Sequence, residues 1–207
     1  MHQFPVPAST QQFTLEIKRS RFITRIARAD TAVDARELVE QCRAEWPDAN
    51  HHCWAYVAGS PGDLRHADKS DDGEPKGTAG MPMLNVLSQS GIGHVAAVVT
   101  RYFGGVKLGA GGLVRAYTRC VSEALAGLET QTWLATETAR VELPYALLAQ
   151  VEHWLSTAKT TVTDKVFADR VTVVMEVPLI ERDAFTERLL AIGQGQITIA
   201  WPDAASP

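Results

Sequence analysis

The chain has 207 residues, with 20 Lys+Arg against 24 Asp+Glu, a formal net charge of −4 and a pI near 5.9. Its 45% hydrophobic and 21% charged residues exclude a disordered acidic tail, a collagen-like repeat and a globally basic coat for nucleic acid. At about 150 residues per domain, the length allows one large domain or two small ones.

Charge is unevenly divided along the chain. Residues 1–130 carry 14 Lys+Arg and 14 Asp+Glu, whereas residues 131–207 carry 6 and 10, so the whole excess of acid lies in the last third. That asymmetry points to two modules. The start, Met1-His2-Gln3-Phe4-Pro5-Val6-Pro7, lacks the basic and apolar pattern of a signal peptide. No apolar run approaches the ~18 residues of a membrane span. Cys42, Cys53 and Cys120 are odd in number and far apart, which fits reduced thiols and a cytoplasmic location better than a disulfide framework.

In chain order, Phe13 to Ala29 alternates as two strands broken near Lys18-Arg19-Ser20. Asp30-Thr31 offers an N-cap to a helix carrying Val33, Leu38, Val39 and Cys42 and ended by Trp46-Pro47. His52 to Ala58 is a strand with Cys53, Ala55 and Val57 on one side and Trp54 and Tyr56 on the other. Lys69 to Gly80 reads as a loop, after which Pro82 suits the first residue of a helix that Gly91 stops. His94 to Phe103 holds the most apolar strand, placed centrally in a sheet. A glycine-rich segment, Gly104 to Gly112, then leads into a helix over Leu113 to Leu125.

Glu129 to Glu137 reads as a polar connection, so the two domains are expected at 1–130 and 138–203, joined near residue 134. The second shows strand (Ala139–Leu143), helix (Ala146–Lys159), strand (Val162–Phe167), strand (Val171–Val177), helix (Arg182–Ile192) and strand (Gln196–Ala200). This βαββαβ order is the ferredoxin-like arrangement, and the fold class is α+β.

Four features could carry chemistry. Arg101-Tyr102-Phe103-Gly104-Gly105 with Lys107, Gly109, Gly111, Gly112 and Arg115 joins a buried strand to a helix start through glycines. Backbone N–H groups there can face an anion, and the cations add charge; the same glycines would also serve a tight turn between sheet and helix. It is not a Walker A loop, since Ala110-Gly111 stands where Lys-Ser/Thr is required. The acidic segment Asp71-Asp72-Gly73-Glu74, followed by Thr78, could hold Mg²⁺ or supply an acid/base pair, but its composition is that of a solvated turn. His51-His52-Cys53 places its two imidazoles on opposite strand faces and has no partner cluster at zinc spacing. Lys18, Arg19, Arg21 and Arg25, interleaved with Phe22, suit either an RNA backbone or the protective face of an edge hairpin.

Three segments together resemble the YigZ/IMPACT family: His51-His52-Cys53-Trp54-Ala55-Tyr56; Ser70-Asp71-Asp72-Gly73-Glu74-Pro75 through Gly77-Thr78-Ala79-Gly80 to Pro82; and Val98 through Arg101 and Gly112 to Tyr117. Lys76 and Met81 are mild departures at variable positions. The resemblance spans nearly the whole chain. It implies an N-terminal βαβ-containing domain like the second domain of a small-subunit ribosomal protein, and a C-terminal domain like domain V of elongation factor G. Eukaryotic relatives restrain a starvation-responsive translation-initiation kinase, a pathway that bacteria lack. The family establishes no catalytic residue; its motif positions here are Asp72, Gly73, Glu74, Thr78, Arg101, Gly104, Gly105, Gly109, Gly111, Gly112 and Arg115.

The leading expectation is a non-enzymatic, translation-associated regulator that binds RNA, the ribosome or a translation factor through its N-terminal domain, with no metal, cofactor or membrane. One alternative is an enzyme acting on a nucleotide or small phosphorylated substrate, with the glycine loop as phosphate cradle and Asp72 or Glu74 as metal ligand or base. Another is a protein–protein adaptor using Trp54, Tyr102 and Phe103. Convergence of Asp72, Glu74, Arg101 and Arg115 on one cleft would favour a site over structural roles.

Overall fold

In the computed structural model, which describes residues 2–201, the chain divides into two units, Gln3–Trp133 and a second that begins at Leu134. The first is organised by β6 (Val95–Tyr102), of which seven residues are buried. Burial on both faces explains its unbroken apolar run. β6 sits at the centre of an antiparallel sheet in the order β2-β3-β6-β4-β5. The flanking strands are β2 (Gln11–Ile17), β3 (Ser20–Arg28), β4 (His51–Val57) and β5 (Ala67–Ser70).

Helix α1 (Ala32–Glu45) starts on a capping box in which Thr31 and Asp34 bond each other's backbone N–H. Its buried stripe of Ala35, Leu38, Val39 and Cys42 covers one sheet face, against Tyr56, Ala96 and Val98. Helices α2 (Gly80–Gln89) and α3 (Ala110–Ala126) cover the other, over Cys53, Ala55, Val57, Val95, Ala97 and Val99. The connections β3-α1-β4 and β5-α2-β6 each join parallel strands with one antiparallel strand between them. They run in equivalent senses but leave opposite faces, so they have opposite hands. One of them therefore departs from the usual right-handed rule.

Several details differ from the sequence reading. Lys69 and Ser70 belong to β5, an edge strand whose polarity hid it. Pro82 is the third residue of α2, and α3 begins three residues early, taking in Ala110, Gly111 and Gly112. The connection from Glu129 contains β7 (Thr130–Leu134), which pairs with β1 (Gln3–Pro7) in a two-stranded ribbon. Phe4 and Val6 of β1 are buried, and Phe4 stacks on Trp133 at 4.7 Å.

In the second unit, β8 (Thr136–Leu143), β9 (Thr161–Phe167), β10 (Val171–Pro178) and β11 (Thr198–Ala200) form an antiparallel sheet in the order β11-β8-β10-β9. Helices α4 (Tyr145–Leu155) and α5 (Arg182–Gly193) pack through Val151, Leu155, Phe185 and Leu189 on Ala139, Val141, Val173 and Met175. That is the ferredoxin-like βαββαβ topology. Residues 202 and 203 of the domain expected at 138–203 lie outside the described residues.

One close approach fixes the end of the first sheet where the chain leaves β6. The β2–β3 hairpin turns on Lys18 and Arg19 alone, with Ile17 opposite Ser20. A Cβ on Gly104 would lie 2.0 Å from the Arg19 carbonyl carbon, so only glycine lets the loop after β6 touch this turn. Gly104→Ala is expected to lower unfolding stability by about 2 kcal/mol or more, since backbone must move on both sides. Urea unfolding checks this, and an unchanged midpoint would contradict the close approach.

Candidate functional site

Period-two alternation places Arg101 on the same face as Val95, Ala97 and Val99, at the end of β6 under α2 and α3. It is 5% exposed, and Nη1 meets Glu74 Oε1 at 2.5 Å. Nη2 donates to Ser20 Oγ at 3.3 Å, and the same hydroxyl accepts from the Gly104 N–H at 3.2 Å. Tyr117, facing inward from α3, donates its hydroxyl to Glu74 Oε1 at 2.8 Å. Burial pushes that hydroxyl's pKa far up, so Tyr117 stays a donor. Cys53 Sγ lies 3.3 Å from the Tyr117 hydroxyl and 3.0 Å from the Asp71 carbonyl oxygen, to which it donates. Burial likewise raises its thiol pKa strongly, which removes the thiolate a nucleophile needs.

The acidic loop is built into the framework. Asp71 accepts from the N–H groups of Gly77 (2.7 Å), Ala79 (3.0 Å) and Gly80 (2.8 Å), binding the loop to the start of α2. Asp72 accepts from the His52 N–H at 2.6 Å and pairs with Arg43 at 3.1 Å. Gly73 follows it in the turn and packs near the His51 ring. Thr78 is buried and donates to the Pro75 carbonyl at 2.6 Å. His51 bonds the Asp72 carbonyl, while His52 Nδ1 lies 3.0 Å from Thr100 Oγ1. The solvated-turn reading is thus replaced by a fastened loop. Among the described residues no group of three His, Cys, Asp or Glu side chains could hold a metal.

Of the four residues whose convergence would mark a site, Glu74 and Arg101 meet, Asp72 turns away to Arg43, and Arg115 lies on the first turns of α3 beside Gly111. The start of α3 is open. Gly109, at φ +74°, precedes it without a side-chain cap, so the N–H groups of Ala110, Gly111 and Gly112 receive no side-chain acceptor. Beside it is a cavity of about 340 Å³ whose wall includes Glu74, Pro75, Arg101, Phe103, Lys107, Leu108, Gly109 and Leu113.

The basic residues separate into two groups. Arg25 is on the α1 face, paired with Glu45 at 2.7 Å and lying over the Trp46 ring. Arg21 shares that face and covers Tyr102 at 4.4 Å. Lys18 and Arg19 form the turn against Gly104, and with Lys107 and Arg115 they pair with no carboxylate among the described residues. Ser20 and Tyr117 join the site without being among the candidate site residues that the sequence offers. A tyrosine on the apolar face of α3, between Leu113 and Cys120, was a signal, because a buried hydroxyl needs a partner. Ser20 gave none.

Comparison with known proteins identifies the family. Residues 18–125 match the Impact N-terminal domain, and residues 141–196 match a domain of unknown function, DUF1949. The chain belongs to the IMPACT family. It is 39% identical over 199 residues to the IMPACT family member YigZ of Escherichia coli, covering 96% of this chain and 98% of that one. It is 34% identical to the IMPACT family member YvyE of Bacillus subtilis, covering 96% and 91%. A crystal structure titled only as a hypothetical protein superposes with a TM-score of 0.80 at 38% identity, over 99% of both chains.

Burial alone would raise the Asp71 pKa, but its three backbone donors outweigh that and hold it below the usual carboxylate range. Its stabilisation is therefore complete above the unfolded value of about 3.9 and is lost as pH falls through the lower folded value. Asp71→Asn is expected to cost about 2 kcal/mol at pH 7, a deficit that shrinks below about pH 4. Urea unfolding of both proteins at pH 7 and pH 3 checks this; a deficit independent of pH would contradict it.

Proposed function

We propose that the protein is a non-enzymatic, translation-associated regulator acting in the cytoplasm, and that its N-terminal unit binds RNA. The translation context is what the family resemblance implies, and no membrane helix opposes it: among the described residues none is long and apolar enough to cross a bilayer. The observation that carries the RNA reading is the group of uncompensated cations around the open start of α3. Gly104 fastens Lys18 and Arg19 beside the loop that carries Lys107, and Arg115 flanks the uncapped turn.

Backbone conformation supports the same reading. Lys18 and Arg19 have φ of +48° and +66° in a two-residue hairpin turn, where Asn-Gly is the favoured pair. Left-handed backbone costs about 1–2 kcal/mol for each ordinary L-residue. Two long cations kept there against that preference mark a place where charge outweighs turn stability. Exposed Phe103 and Val106 precede Lys107 in the glycine loop, and an aromatic face near cations suits unpaired bases. Arg101 has a different part: paired with Glu74 and buried, it shapes the loop and adds no free charge.

Binding of a single-stranded RNA is expected to weaken with salt, and Lys107→Ala and Arg115→Ala should each reduce the slope of log K against log salt by about 0.7. Titration by fluorescence anisotropy between about 50 and 200 mM salt checks this. Absence of wild-type binding at the low end, or a slope untouched by both substitutions, would overturn the proposal.

A further inference from the structure

The cavity beside the α3 start holds more than a surface for phosphates. Its volume, about 340 Å³, falls at the small end of pockets that enclose a single organic ligand, ~300–1,000 Å³. Much of its wall is apolar, from Pro75, Phe103, Leu108 and Leu113. The polar groups stand on different elements: the Glu74 carboxylate in the loop before α2, and Lys107 with the N–H groups of the α3 start in the glycine loop. Such a cavity suits a ligand with a flat apolar body, an anion and a hydrogen-bond donor.

Glu74 supplies the requirement for a donor. Its side chain is 3% exposed, and Oε1 already accepts from both Arg101 and Tyr117. No described residue donates to Oε2, yet that oxygen is not among the fully enclosed side-chain atoms without a partner. A nearly buried carboxylate of the cavity wall with one oxygen unpartnered is suited to an N–H from an occupant. Phe103, 45% exposed at the cavity wall with the Arg101 guanidinium 5.6 Å from its ring centroid, offers a face to a planar ring.

We infer that the cavity takes one nucleoside 5′-phosphate unit whose base carries an exocyclic amine. The base lies against Phe103, the amine donates to Glu74 Oε2, and the phosphate meets Lys107 and the uncapped start of α3 at Ala110. This rests on the RNA reading in one respect: the unit is supplied by an unpaired nucleotide of a single strand. The same chemistry is also available from a free nucleotide, and the two sources separate experimentally.

The test measures binding of AMP, purine riboside 5′-monophosphate (which lacks the amine), adenosine and inorganic phosphate by calorimetry. Single-stranded and duplex RNA are measured in parallel. Wild type, Phe103→Ala and Phe103→Trp are compared, each checked for native unfolding because Phe103 is half exposed. The expected result is saturable AMP binding, about tenfold weaker without the amine. AMP should compete with the single strand, and Phe103→Ala should weaken both while Phe103→Trp retains them. Single-strand and duplex binding that are equal, indifferent to AMP and unmoved by Phe103→Ala would overturn the pocket and leave RNA binding standing. AMP binding without any RNA binding would keep the pocket and overturn RNA as its source. If neither binds, both proposals fall.

Discussion

The ion pair of Glu74 and Arg101 is the constraint on which the glycine-loop end of the first unit depends. Both side chains are almost wholly buried, and four segments remote in sequence meet on them: the start of β3 through Ser20, the acidic loop, the end of β6, and α3 through Tyr117. A buried pair adds little over apolar fill, whereas losing one partner leaves a bare charge at a cost of about 3–5 kcal/mol. Its effect is therefore positional. With Ser20 shared between Arg101 and the Gly104 N–H, the pair sets where the glycine loop leaves the sheet, and hence where α3 presents its open end.

Around that pair, charge has two separate uses. Asp71, Asp72, Glu74, Arg25 and Arg101 are absorbed into the architecture, each bonded to backbone or to an opposite charge. Lys18, Arg19, Lys107 and Arg115 are left uncompensated at one end of the first unit. Because residues 1–130 are neutral in sum, these four cations are offset by acids elsewhere in the unit, such as Glu37 on α1 and Asp68 on β5. An acidic chain overall is compatible with a local phosphate-binding face, because the excess acid belongs to the second unit.

Much of this was legible in the sequence where periodicity and caps agree. Thr31 with Asp34, the alternation of Cys53, Ala55 and Val57, the continuous apolar run of β6 and the βαββαβ order all carry their physical cause in local pattern. The same alternation already pointed Arg101 inward, two residues beyond Val99, so its burial could have been inferred from register. The loop of Asp71 to Thr78 could not, because Asp, Gly and Pro compose a solvated turn and a fastened one alike. Which of the two forms depends on backbone N–H groups up to nine residues away. β1, β5 and β7 are short or polar strands whose stability comes from partners that local sequence does not reveal.

On the proposed RNA-binding role, the β2–β3 turn keeps its cations at the expense of its own conformation. The double variant Lys18→Asn, Arg19→Gly separates the two effects, since it installs the favoured turn pair while removing both charges. Urea unfolding and RNA titration on the same preparation are the direct measurement. Stability equal to or above wild type is expected, with weaker RNA binding and a salt slope lower by about 1.4. Undiminished RNA binding at equal stability would contradict it.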